Sequence, residues 1–423
     1  MIRWFNHPKD ELLRDLKLPP VGTSMDPEAA CSLALAVALR GVGAVSPNPL
    51  VGAVLVDRTH CFLAAGAHDK VGELHAEAKV LKIIREQGLA QRLEGAKLYV
   101  TLEPCAHEGR TPSCARTLVG TGIREVVYGL TDPNPLVAGK GAQILREAGI
   151  EVVDAAASKA FQLWSDACAD LAAVFLHNVS TGRIFTGIKL ACSLDGVVAF
   201  EGDRRVWITG DRARAYGHWL RMWYDAVAVG AGTVLADNPR LDVRHHFLKD
   251  HVPVRTPRRV VFDPRGRAFD AVYGGDSCNL IHVEPHTTIW LMGDSPESLS
   301  RIKRGEALGI SAVPVAVDPS NGLFLWEEVE RTLQDLGVRS LLLEGGPGLH
   351  SVVLGDHDAR VRALLQKLHL FQSPVILGNR SPEGARALRW TGGVAGRTGI
   401  RQDLRQLIEL EQDWGIELTF ELV

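Results

Sequence analysis

His75-Ala76-Glu77, answered by Glu103-Pro104-Cys105 and then by Cys114, is the stretch on which the reading of this chain turns. One imidazole and two thiols are the soft N/S ligands that zinc prefers. Three of them leave a tetrahedral position open for water or substrate, as in catalytic rather than structural zinc sites. Glu77, two places beyond the histidine, would stand outside the ligand set and be available to move protons. Each piece also has a plainer reading. His75 and Glu77 could lie on an exposed helix with Ala76, Ala78, Val80 and Leu81, and the cysteines could be small buried apolar groups. It is the ordered combination that favours a metal.

A His-x-Glu followed by Pro-Cys and a second cysteine is the arrangement by which zinc deaminases hold a metal and place an acid/base beside it. Here eight residues, Ala106 to Ser113, separate the two cysteines, where Pro-Cys-x-x-Cys is the usual form. Gly109 and Pro112 let that loop bulge out and return. Both thiolates are therefore expected at the metal, near the start of a helix from about Ser113 through Leu118. A helix N-terminus lowers a thiol pKa and favours the ligating form.

With 423 residues the chain is long for one domain and comfortable for two. Apolar residues make up 46% and charged residues 23%, ordinary for a globular protein. A net charge of -3 argues against a broad nucleic-acid-binding surface and for small-molecule partners. The seven cysteines are odd in number and scattered, unlike a disulfide framework. Met1 to Pro20 carries charges throughout and no apolar run, so no secretory signal is expected, and no stretch is long and apolar enough for a membrane span. These features suggest a reducing, cytoplasmic setting.

Residues 1–25 read as a polar N-terminal extension. A helix is expected from Pro27, then a rigid Ser46-Pro-Asn-Pro-Leu50 loop and strands at Val51–Val56, Cys61–Gly66, Lys97–Thr101, Arg124–Gly129 and Ile150–Val153. Asp132 and Asn134 lie in a proline-stiffened loop after the fourth of these. Residues 26–154 would form the first domain, 155–180 a helical junction, and 181–423 a second α/β domain with strands at 184–190, 225–229, 259–262, 288–292, 312–317 and 340–343. Gly345, Gly346 and Gly348 stand between a strand and a helix. They form either a tight turn or a phosphate-binding one.

Taken together these segments resemble the bifunctional deaminase-reductase family of riboflavin biosynthesis, over roughly residues 26 to 350. The resemblance is carried by Ser46-Pro-Asn-Pro-Leu-Val-Gly52, Gly72-Glu-Leu-His-Ala-Glu77, Val100-Thr-Leu-Glu-Pro-Cys105 with its long gap to Cys114, and Asp132-Pro-Asn-Pro-Leu-Val-Ala-Gly139. In the second half it is carried by Ser193-Leu-Asp-Gly196, Trp207-Ile-Thr209, Thr233-Val-Leu-Ala-Asp237 and Glu344-Gly-Gly346. It implies a cytidine-deaminase-like α/β/α domain followed by a dihydrofolate-reductase-like α/β domain, using Zn2+ and NADPH on a pyrimidine ribosyl phosphate, and a homo-oligomer.

The resemblance assigns His75, Cys105 and Cys114 to zinc and Glu77 to proton transfer. It puts Asn48, His68, Arg110, Asp132 and Asn134 around the deaminase substrate, although each could instead serve as a loop or capping residue. In the second domain it implies Ala191, Trp207, Thr233, Asp237 and Gly346-Pro347-Gly348-Leu349 for the nucleotide, and Arg205, Arg221, Leu241, Arg244 and Glu344 for the substrate. Trp207 and Leu241 could equally be core residues. Three positions depart from the family pattern near one ligand: Arg205 replaces a serine, Asp242 a threonine and Val197 a basic residue. A weakened or redirected reductase would explain them, and so would a compensating Arg205–Asp242 ion pair. Two further readings are a zinc-stabilised scaffold, disfavoured by the placement of Glu77, and a nucleic-acid deaminase, disfavoured by charge and cysteine spacing.

Overall fold

Small and β-branched runs become strands at the ends of which the chemistry-bearing residues stand. The computed structural model describes residues 16–107, 113–135, 137–200, 207–244, 255–273, 275, 278–346, 348–349, 365–379, 387–389, 400–410 and 413–422. The chain divides into two units, with the main break between Gly182 and Arg183.

In the first unit α1 (Pro27–Ala38) leads through strands β1 (Gly52–Val56) and β2 (Phe62–Ala67) to α2 (Ala76–Glu86). Then come β3 (Lys97–Val100), α3 (Cys114–Leu118), β4 (Glu125–Tyr128), α4 (Lys140–Glu147), β5 (Glu151–Asp154), α5 (Gln162–Leu171) and α6 (Ala173–Thr181). The sheet order is β2-β1-β3-β4-β5. β1 runs antiparallel to both β2 and β3, and β3, β4 and β5 are parallel.

Side chains alternate across this sheet, as the two-residue period of a strand requires. Ala53, Leu55, Leu98, Val100, Val126 and Tyr128 share a core with Val80, Leu81 and Ile84 of α2, Leu118 of α3 and Leu145 of α4. Fully burying each of the larger of these side chains is worth about 1.5–3 kcal/mol. The intervening Val54, Tyr99 and Val127 are buried as well, and α1 packs on β1, β2 and β3. Asp26 caps α1 by accepting the Ala29 N–H at 2.7 Å, with Pro27 in the first turn. Gly52 is where α1 meets the sheet: a Cβ there would lie 2.0 Å from the Ala34 carbonyl oxygen.

The second unit has a parallel sheet with an antiparallel hairpin at one edge. Its elements are β6 (Phe185–Cys192), β7 (Val197–Phe200), α7 (Asp211–Trp223), β8 (Ala226–Gly230), α8 (Ala231–Asp237), β9 (Arg258–Asp263), α9 (Arg267–Tyr273) and α10 (Asn279–His282). There follow β10 (Thr288–Gly293), α11 (Ser298–Ala307), β11 (Ser311–Val315), α12 (Trp326–Asp335), β12 (Ser340–Leu343), β13 (Leu365–Gln372), β14 (Ala387–Arg389), β15 (Ile400–Leu410) and β16 (Asp413–Leu422). The order is β11-β10-β9-β8-β12-β6-β13-β16-β15, parallel from β11 to β13, with β16 antiparallel to both β13 and β15.

Residues 155–178 are helical, as expected: a 3-10 turn (Ala155–Ala157), α5 and α6, which closes at Gly182 with φ 69°. Beyond the last strand read from the sequence, β13, β16 and β15 complete the nine-stranded sheet, and β14 pairs with β7 in a separate two-stranded one.

Candidate functional site

The loop after β3 and the start of α2 bring the first cluster together. His75 is the N-cap residue of α2, with extended backbone and no side-chain capping bond, so its ring is left to turn inward. Its Nδ1 lies 3.3 Å from Cys114 Sγ and 3.7 Å from Cys105 Sγ, and the three donor atoms fall within 4.8 Å of one another. Ligands each about 2.0–2.3 Å from a tetrahedral zinc sit about 3.5–3.8 Å apart, so this donor set fits that metal.

The long Cys105–Cys114 loop is closed at its neck by hydrogen bonds. The Ser113 hydroxyl donates to the Cys105 carbonyl at 2.8 Å, and the Ala115 N–H donates to the same oxygen at 3.1 Å. Ser113 also caps α3 by accepting the Arg116 N–H at 3.3 Å. Arg110, expected at the substrate, lies outside the described residues.

The N–H of Cys114, at the head of α3, donates to Cys105 Sγ at 3.4 Å, the kind of contact by which a helix start favours a thiolate. Cys105, not Cys114 at the head of α3, is the acidic one. A hydrogen bond from the Cys114 thiol, aided by His75, draws its pKa down to about 4. Cys114 is pushed up because it holds the proton that the Cys105 sulfur accepts, and because it is buried. Zinc binding would take the remaining thiol proton, since a ligating cysteine is a thiolate.

Glu77 is 4% exposed, on the buried side of the first turn of α2. Burial pushes its carboxyl up to about 7, so it can hold or release a proton near neutrality. The exposed-helix reading of Glu77 therefore does not hold.

His68 and Asn48 stand beside the metal ligands. The His68 and His75 rings meet edge to face with centroids 5.3 Å apart. His68 Nδ1 lies 3.3 Å from the Leu74 carbonyl, to which it donates. Its Nε2 then accepts from the Asn48 amide at 3.2 Å. Burial lowers the His68 pKa and keeps the ring neutral. This fixes the Asn48 amide with its oxygen left to accept from a ligand. Asp132 is half-buried and accepts the Asn134 N–H at 2.9 Å. Burial, with the charges of Glu103 and Cys105 nearby, raises its pKa.

In the second unit the expected residues gather at the C-terminal ends of parallel strands, the usual ligand edge of such a sheet. Arg221 of α7 and Glu344, just after β12, form a bidentate pair with Nε–Oε1 2.6 Å and Nη2–Oε2 2.8 Å. Burial alone would raise the Glu344 pKa, and Arg221 overcomes it, so the net shift is downward. Arg221 also donates to the Asp242 carbonyl at 2.7 Å. His218 Nδ1 donates to that oxygen at 3.0 Å, and its pKa falls to about 4 through burial and the Arg221 charge.

The Asp242 carboxylate is engaged by Arg244, with Arg240 at 3.9 Å. Arg205, considered above as a partner of Asp242, lies outside the described residues. Leu241 is buried with φ 53°, a left-handed conformation that costs a branched residue energy.

The nucleotide residues meet across two glycine turns. The Thr233 hydroxyl, in α8, accepts the Gly346 N–H at 3.2 Å. A Cβ on Gly346 would meet nothing nearer than that hydroxyl at 3.7 Å, whereas one on Gly345 would strike Leu349 at 2.8 Å. Gly346 therefore leaves open space beside its Cα, while its N–H is held by Thr233. Gly348 and Leu349 begin a helical turn, and Pro347 is outside the described residues. Asp237 ends α8, and Ala191 in β6 pairs with Phe371. Trp207 is 58% exposed with the Arg214 guanidinium 4.5 Å from its ring, so it is not a core residue.

Three participants were not singled out from the sequence. Glu103 is buried and accepts from backbone N–H groups, and His218 donates beside Arg221 to the Asp242 carbonyl. Lys189 stands in β6 with its ammonium 5.4 Å from the Phe371 ring and adds to the field that lowers Glu344. Lys189 left a signal, a lone charge within the apolar run Ile184–Leu190.

Comparison with known proteins matches both halves. The cytidine and deoxycytidylate deaminase zinc-binding region covers residues 25–130, and the RibD C-terminal domain covers 185–392. The riboflavin biosynthesis protein RibD of Actinobacillus pleuropneumoniae is 35% identical over 349 residues, 82% of this chain and 83% of that one. That of Bacillus amyloliquefaciens is 35% identical over 347 residues, 82% of this chain and 84% of its own. Among solved structures, Acinetobacter baumannii RibD is similar with TM-score 0.72 and 32% identity over 93% of this chain and 98% of that one. The diaminohydroxyphosphoribosylaminopyrimidine deaminase/5-amino-6-(5-phosphoribosylamino)uracil reductase of Thermotoga maritima is similar with TM-score 0.71 and 29% identity, over the same shares.

Proposed function

The chain belongs to the RibD family of riboflavin-biosynthesis deaminase-reductases, and from that premise we propose how its residues divide the work. The enzyme hydrolyses the amino group of 2,5-diamino-6-ribosylamino-4-pyrimidinone 5'-phosphate, releasing ammonia, and then reduces the ribosyl chain to ribityl with NADPH. Zinc and NADPH are its cofactors. The observation that carries the site assignment is the convergence of His75, Cys105 and Cys114 with a buried Glu77 beside them.

His75 Nδ1 and the two thiolates would hold zinc, which when bound would make water nucleophilic toward the ring carbon that bears the amine. Glu77 takes a proton from that water and passes it to the ring nitrogen. It then takes the proton of the hydroxyl now on the ring carbon and delivers it to the amine as the C–N bond breaks and the carbonyl forms. Its pKa near neutrality lets it do both. Asn48 presents its oxygen to the pyrimidine, held in that orientation by His68. Asp132 and Asn134 bind the substrate from the loop after β4, and Arg110 meets its phosphate or ribose.

In the second unit NADPH supplies the hydride. Thr233, Asp237, Ala191, Trp207 and the Gly346–Leu349 turn hold the nucleotide. Glu344, oriented by Arg221, accepts from a sugar hydroxyl, and Arg244, Arg205 and Leu241 bound the sugar phosphate. Functional domain limits at 26–154 and 181–423, joined by 155–180, suit the division of the chain at Gly182. Free cysteines throughout the described residues favour a reducing, cytoplasmic setting, and we extend the family expectation of a homo-oligomer to this chain. No helix among the described residues is long and apolar enough to cross a membrane.

Glu77→Gln tests the assignment. Zinc content should be unchanged while ammonia release falls by about 10²–10⁴-fold, the usual weight of an acid/base group. Release at the unmodified rate would remove Glu77 from the mechanism.

A further inference from the structure

Glu103 stands two residues before a metal ligand, in a motif whose only assigned member is the cysteine. We propose that Glu103 is a positioning residue for deamination: its carboxylate locks the substrate loop, Asp132 to Gly139, to the metal-bearing arm that ends in Cys105. The inference rests on the reading that Asp132 and Asn134 contact the pyrimidine.

Glu103 is 4% exposed, and both of its carboxylate oxygens are used. Oε2 accepts the N–H of Asp132 at 3.2 Å and of Gly139 at 3.0 Å, and Oε1 accepts the N–H of Ala142 at 3.0 Å. Its own N–H donates to the Leu130 carbonyl at 2.7 Å. Backbone and side chain of one residue thus bind both ends of the same loop. Gly139 and Ala142 lie at the start of α4, where the first N–H groups have no partner within the helix. A buried acceptor must satisfy them, and a carboxylate, accepting at both oxygens and donating nothing, suits three donors.

The two segments also touch without slack. A Cβ on Gly141 would lie 1.9 Å from the Pro104 carbonyl oxygen, so α4 rests directly on the Pro104-Cys105 peptide. Movement of the Asp132 backbone would carry Asn134 with it. Asp132 accepts the Asn134 N–H, and the Asn134 carbonyl accepts from Val137 and Ala138 at 2.9 Å each. The distance from pyrimidine contacts to metal ligands is therefore set by Glu103. Glutamine cannot substitute: its amide has one oxygen, and its NH2 would face an N–H donor.

The test compares Glu103→Gln, Glu103→Asp and Asn134→Ala in the full-length, zinc-loaded protein. Zinc content, KM and kcat for ammonia release, and NADPH oxidation with the deaminated pyrimidine are measured for each. For Glu103→Gln the expected result is unchanged zinc and reductase activity, with KM raised about tenfold or more and kcat changed less than KM. A misplacement of about 1 Å is enough for effects of this size. Glu103→Asp, which keeps the charge, should fall between Gln and the unmodified protein. The proposal is overturned if KM stays within about twofold of the unmodified value, or if activity falls in step with zinc content, which would put the role of Glu103 at the metal. Asn134→Ala separates the two levels. If it leaves KM unchanged, the substrate reading of the loop fails and takes the proposal with it. If it raises KM while Glu103→Gln does not, positioning alone fails. Should Glu103→Gln not fold, hydrogen exchange of the unmodified protein decides. The Asp132, Gly139 and Ala142 amides should exchange as slowly as those of the central strands, and rapid exchange would overturn the proposal.

Discussion

At Asp242 a carboxylate stands where the family pattern carries a threonine, and its two neighbours in charge are Arg244 and Arg240. The exchange therefore does not leave a bare negative charge beside an anionic substrate. The carboxylate pairs with Arg244, the guanidinium proposed above for the sugar phosphate. Asp242→Thr should release Arg244 and lower KM for the deaminated pyrimidine phosphate by about two- to tenfold, the weight of one partly exposed charge pair. Steady-state NADPH oxidation against substrate concentration checks this, and an unchanged or raised KM would show that the pair is not competing with substrate. The His75, Cys105 and Cys114 cluster with Glu77 beside it was legible from residue type and order, and the Asp242 departure from the family resemblance. Glu103 was not: its partners are backbone N–H groups 29 to 39 residues away, and backbone groups leave no mark in a sequence.

Among elements, the strands of both central sheets were legible as short apolar runs, because buried parallel strands need no polar face. The C-terminal hairpin was not. In β15 the apolar residues Ile400, Leu404, Leu407, Ile408 and Leu410 fall near helical spacing, while the backbone pairs with β16 as a strand. Pairing with a distant partner decides such a segment, and local pattern does not. The closest approach of elements in the first unit is equally hard to read: Gly52 lets α1 lie on β1. Gly52→Ala should destabilise that unit by about 1–3 kcal/mol or more, the cost of overpacking. Denaturant unfolding of the variant should show it, together with loss of zinc at lower denaturant; an unfolding midpoint equal to that of the unmodified protein would contradict the packing described.

For the whole molecule the central claim is that one chain carries two chemistries in two separately organised units. Both family models match it, one on each side of the Gly182–Arg183 division, and the three departures at Arg205, Asp242 and Val197 do not extend to the Thr233–Gly346 turn. Length foretold two domains, the alternation of strands and helices their α/β class, and motif order which came first. The most direct test follows ammonia release and NADPH oxidation separately on the purified, zinc-loaded protein given 2,5-diamino-6-ribosylamino-4-pyrimidinone 5'-phosphate, before and after chelation of zinc. Both products should form in equal amounts. Chelation should stop both, and added deaminated pyrimidine should restore NADPH oxidation alone. Ammonia release without NADPH oxidation, or a reductase step that chelation abolishes even with deaminated pyrimidine supplied, would contradict the account.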